Sequence, residues 1–154
     1  MQVNWALDVR INITTMNQVG ILFPMVALAT VTFAVLLLIP YKRFKAGRSR
    51  RVTVDDFKFG ESNNVPPDVS IPNRNLMNLL EMPVLFYVAC LTIYVTKNVD
   101  VILLVLAWLY FALRAVHSLV HLTYNKVFHR LTVYAASNVV LAMIWIRLFQ
   151  ALVR

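Results

Sequence analysis

Apolar residues fall in four long blocks separated by three polar interruptions. No charged residue occurs from Ile11 to Tyr41, and within that stretch Val19–Ile39 is dense in Leu, Val, Phe and Ala. About 20 apolar residues cross a hydrocarbon core, so this block predicts a first membrane-spanning helix over 19–39. The second block predicts a span over 73–96, the third over 101–122 and the fourth over 131–149. Pro24 sits near the start of the first block, where a missing N–H costs least. Residues 40–72 break the pattern: Lys42, Arg43, Lys45, Arg48, Arg50 and Arg51 cluster, followed by acids and a Pro66-Pro67 turn, and are read as a loop. Lys97, Asn98 and Asp100 make a tight connection, and Tyr124–Arg130 joins the third span to the fourth. The expected fold is an all-α integral membrane four-helix bundle forming a single domain, 1–154.

Composition narrows this further. Of 154 residues, 60% are hydrophobic and 14% charged, against roughly 25% charged in a soluble domain. An ordinary soluble domain is excluded, and four spans leave no room for a second domain. With one Cys and no C-x-x-C or Cys/His pattern, neither a disulfide scaffold nor a structural zinc module is built, and no metal ligand is assigned. The net charge of +8 raises nucleic acid as a partner. Yet the basic cluster lies between spans and holds only Phe44 as an aromatic, so no stacking platform exists and no nucleic acid is expected. Basic loops instead set orientation and touch lipid headgroups. Placing the first and third loops on the cytoplasmic side leaves mainly Arg10, Lys97 and Arg154 opposite, with both termini facing away from the cytoplasm. Without a basic region ahead of it, the first span is read as retained rather than cleaved.

Ionisable residues inside spans are costly and mark functional sites by default. Arg74, Asn78 and Glu81 follow at i, i+4 and i+7, one face of the second helix. Arg114, His117 and His121 follow at i, i+3 and i+7 in the third, with Tyr110 and Tyr124 extending the stripe. In the fourth, Arg130, Tyr134, Ser137 and Asn138 repeat the pattern. All three stripes start from the same membrane face. Bland readings exist for each: Arg74 and Arg130 as snorkelling residues, a Glu81–Arg114 ion pair holding the bundle, and Tyr134, Ser137 and Asn138 as interhelical glue. Pro83 releases the Leu79 carbonyl, so the helix bends or widens beside the stripe. Three arginines and a deep carboxylate with Asn, His and Tyr suit a compact zwitterion such as glutathione, while neighbouring Leu, Val and Phe accept a lipid-like substrate. An arginine near a thiol stabilises its thiolate.

Two motifs resemble the MAPEG family, the membrane-associated proteins in eicosanoid and glutathione metabolism. R74-x-x-x-N78-x-x-E81 followed by Pro83 is similar to the glutathione-binding signature of leukotriene C synthase and the microsomal glutathione transferases. LRAVHSLVHLTYNKVFHR, Leu113–Arg130, resembles the third-span and loop segment of microsomal prostaglandin E synthase and reads most like the family's uncharacterised bacterial branch. The resemblance implies that Arg74, Asn78 and Glu81 hold glutathione as cosubstrate, that Arg114, His117, His121 and Tyr134 line the same site, and that Arg130 activates the thiol. It also implies a homotrimer with sites between subunits. The expected function is a glutathione transferase or peroxidase acting on hydrophobic electrophiles or lipid hydroperoxides, in a bacterial inner membrane.

Three residues depart from the family pattern. His121 stands where well-studied members carry a tyrosine, Leu131 replaces a small polar residue, and Pro83 comes early relative to Glu81. These bear on thiol geometry and keep open a non-enzymatic lipid-binding or scaffold role. A metal-enzyme reading, with His117, His121 and Glu81 as ligands, is opposed by the nearby charge of Arg114.

Overall fold

The computed structural model describes residues 18–153; Arg10 and Arg154 lie outside them. The described chain is helical apart from turns and one 3₁₀ segment: α1 (Leu22–Arg48), the 3₁₀ turn Val54–Phe57, α2 (Pro67–Leu80), α3 (Met82–Val95), α4 (Val101–Leu122) and α5 (Val127–Leu152). Four helical stretches are long and apolar enough to cross a membrane, with α2 and α3 together making the second, Pro67–Val95. Leu28, Phe86, Ile93, Leu103, Leu141 and Ile144 are buried between them, while Phe33, Leu37, Leu119 and Ile146 point outward. An apolar exterior leaves no hydrophobic force between helices in lipid, so close packing of the inner side chains holds the bundle.

Helix ends depart from hydropathy in three places. The first helix does not stop at 39: it runs through Pro40 to Arg48. Lys, Arg and Ala favour helix outside the hydrocarbon as well as within it, and Lys45 and Arg48 in the last turn complement the helix dipole. Four basic residues assigned to a loop therefore stand on a helix, and the loop shrinks to 49–66. Its start is fixed by Ser49, whose hydroxyl donates to the carbonyls of Lys45 and Ala46, and by Arg50 in the left-handed region at φ 56. The second pass begins early because Pro67 occupies the first helical position, which its fixed φ favours. The fourth begins at Val127, so Arg130 sits on the first turn of α5 rather than in a loop.

Ion pairs tie both ends. Arg43 Nη2 donates to Glu61 Oε1 at 3.0 Å and lies 4.4 Å over the Phe57 ring. Arg51 grips Asp68 with two bonds of 2.7 and 3.1 Å. At the opposite end Asp100 caps α4 by accepting from the Leu103 amide at 2.7 Å, and its other oxygen accepts from Arg147 at 2.8 and 3.1 Å.

Candidate functional site

The second pass is broken at Glu81, where the backbone takes φ −85 and ψ −97. Proline at 83 has no amide for the Leu79 carbonyl, and the break falls two residues before it. In a continuous helix the Asn78 carbonyl would accept from the Met82 amide. Here it accepts from the guanidinium of Arg114 instead. The alternative reading of a Glu81–Arg114 ion pair does not hold: the arginine is bonded to a backbone oxygen that the break sets free. Glu81 itself is exposed, and its carboxylate makes no hydrogen bond or ion pair among the described residues.

Around Arg114 the α4 and α5 stripes meet. Arg114 is fully buried, and its Nε and Nη1 have no partner among the described residues. Its guanidinium lies 5.3 Å from the Tyr134 ring centre, a cation–π distance. The His117 ring is 5.6 Å from Tyr134 and 5.9 Å from His121. A carbonyl only accepts, so His117 Nδ1 donates to the Arg130 carbonyl at 3.1 Å, leaving Nε2 without a partner among the described residues.

The Arg130 guanidinium is anchored twice through Nη1. It donates to Asn125 Oδ1 at 2.9 Å and to His121 Nε2 at 3.2 Å. Arginine only donates, so this contact makes the His121 imidazole neutral, with its proton on Nδ1. Asn125, which the sequence stripes do not include, holds a left-handed turn at φ 48, a conformation asparagine tolerates well. Its position five residues before Arg130, in the turn ahead of α5, is the only signal for it.

Asn78, His117, Arg130 and Tyr134 line one cavity of about 180 Å³, closed by Val127 and Leu131. Arg74 and Glu81 are exposed on the surface of the chain; the Arg74 backbone accepts from Asn78 Nδ2 at 3.0 Å. Ser137 donates to the Tyr134 carbonyl of its own helix at 2.7 Å. Among the described residues no three His, Cys, Asp or Glu side chains converge on a metal-sized site, so the His117/His121/Glu81 ligand set is not assembled.

For glutathione the donor set fits. The guanidinium of Arg130 can donate to a carboxylate or thiolate, and Asn78 and Tyr134 stand at the same cavity, whereas Arg114 is fully buried and does not line it. The cavity volume is below the roughly 300 Å³ at which small-molecule pockets begin. A family model described as the MAPEG family matches residues 21–150. No curated protein and no solved structure matches the chain.

Proposed function

Since the chain belongs to the MAPEG family, a family of membrane proteins associated with glutathione, we propose that it is a glutathione-dependent membrane enzyme, a transferase or peroxidase acting on hydrophobic electrophiles or lipid hydroperoxides. The observation that carries this reading is the doubly anchored Arg130 at the cavity shared with Asn78, His117 and Tyr134. Glutathione, when bound, supplies the nucleophilic thiol. A fixed guanidinium beside it lowers the thiol pKa from the ~8.5 of free cysteine and holds the charge through the reaction. Asn78 orients the zwitterion, Arg114 holds Asn78 from behind through its carbonyl, and Tyr134, packed on both Arg114 and His117, keeps those groups in register. Leu131 and Val127 exclude water from the thiol end.

The exposure of Arg74 and Glu81, together with the small cavity, supports a homotrimer in which each site closes against a neighbouring copy. The basic cluster from Lys42 to Arg51, at the end of α1 and the turn after it, supports a cytoplasmic placement of the first and third loops, which we assign to a bacterial inner membrane.

The test is glutathione titration of the detergent-purified protein, followed by conjugation to a model electrophile. Wild type should bind and conjugate. Glu81→Gln should weaken binding by about tenfold, the value of one charge-assisted hydrogen bond. Arg130→Ala should remove the thiolate absorbance band of bound glutathione. Equal affinity in all three proteins with an unchanged band would overturn the assignment. A second reading, a lipid-binding protein of the same fold, is favoured by Leu131 at the cavity beside Arg130; lipid retained through purification with function untouched by Arg130→Ala would select it.

A further inference from the structure

A larger concavity lies away from this site, where α1 leaves the membrane. It is an apolar groove of about 720 Å³ between the last turns of α1 and the returning loop, lined chiefly by Ile39, Pro40, Phe44, Val52, Val54 and Phe57. Its rim is unusually open for apolar residues: Phe44 is 79% exposed and Val54 89%.

Position and charge identify its occupant. The 27 residues of α1 extend about 40 Å at 1.5 Å each, beyond a hydrocarbon core of about 30 Å. Counted from Leu22, the hydrocarbon boundary falls near Tyr41, just before the first charge at Lys42. The groove straddles that boundary, with Ile39 and Pro40 on the hydrocarbon side and Arg48 beyond it. Residues 42–58 carry seven basic side chains against two acidic ones. Arg43 and Arg51 are held by Glu61 and Asp68. Lys42, Lys45, Arg48 and Arg50 make no ion pair among the described residues. An apolar trough entered from the acyl layer and edged by the guanidinium groups of Arg48, which has no ion-pair partner among the described residues, and Arg43 matches a molecule with a hydrocarbon chain and an anionic head.

We infer that this groove binds one anionic glycerophospholipid of the adjoining leaflet, an acyl chain lying along Ile39, Phe44 and Val54 and the phosphate held by Arg48, with Arg43 beside it. Gly47 supplies a way to test occupancy without disturbing the fold. It lines the groove, and a Cβ added there meets no atom within 4 Å. Alanine at 47 leaves the groove open, leucine fills it, and both favour helix over glycine.

Native mass spectrometry of the detergent-purified full chain would be run with added phosphatidylglycerol, phosphatidylcholine or glycerol phosphate. Wild type and Gly47→Ala should retain one phosphatidylglycerol per chain in preference to phosphatidylcholine, and glycerol phosphate should not compete. Gly47→Leu should lose that retention. Arg48→Gln should weaken it about fivefold, the worth of one basic residue at an anionic surface. Equal retention of both lipids, retention unaffected by Gly47→Leu, or competition by glycerol phosphate alone would overturn the proposal. So would loss of subunit association in Gly47→Leu without loss of lipid, which would assign the groove to a second copy of the chain.

Discussion

Arg114 is a cation with no countercharge at ion-pair distance, buried where a charge is expensive. Two of its nitrogens have no partner among the described residues, so the site holds an arginine at a cost in stability. Arg114→Met, similar in length and uncharged, should raise Tm by about 3 °C for each ~1 kcal/mol of relieved desolvation, while reducing glutathione affinity at least tenfold in calorimetric titration. A purely structural arginine would show the reverse. Asn125 permits a cleaner separation of backbone from side chain, because glycine also adopts its left-handed conformation. Asn125→Gly should leave the melting curve within about 1 °C and lower the conjugation rate about tenfold, the scale of one hydrogen bond to a charged group. Of these two residues only Arg114 was legible in the sequence. Its spacing from His117 and His121 marks a helix face, whereas the role of Asn125 exists only once the turn has folded toward Arg130.

At the scale of elements, hydropathy located the four apolar stretches and misread their ends. It reports where hydrocarbon stops, and α1 continues for two turns after that. It was also blind to the break at Glu81, although Pro83 pointed to it. Pro83→Ala restores an amide for the Leu79 carbonyl and lets the helix close. The Asn78 carbonyl then turns to Met82 and Arg114 loses its acceptor. Slower hydrogen exchange at the Met82 amide, with weaker glutathione binding, is the expected result. The loop has its own signature. Hydrogen bonds from Ser62, and from the amide and hydroxyl of Thr53, hold the Asp56 carboxyl down to about 2 from an ordinary 3.8. A depressed carboxyl stabilises the loop above its unfolded value and loses that contribution as pH falls toward its folded one. Exchange protection of the Thr53 amide should therefore hold above about pH 4 and fade between there and about pH 2.

For the whole molecule, the family was readable from two short motifs, because they carry the polar residues that a bilayer otherwise removes. Assembly was not readable in the same way: apolar outer faces such as Phe33 and Ile146 serve lipid and neighbouring helices alike. If the exposed Arg74 and Glu81 complete the site of an adjoining copy, native mass spectrometry should show three chains per particle, and a mixed particle of Glu81→Gln and Arg130→Ala chains should regain conjugation at some sites. Monomers that conjugate at the wild-type rate would defeat this.

The pairing of Asp100 with Arg147 also constrains how the protein is made. Asp100 is synthesised ahead of α4 and Arg147 near the end of α5, so a nascent chain carries an unneutralised carboxylate until 47 more residues have emerged. The guanidinium must also reach, with the last helix, the end of the bundle at which the carboxylate lies. The α4–α5 hairpin is therefore a unit of insertion, and a chain truncated before Arg147 loses the lock on its third helix as well as its fourth.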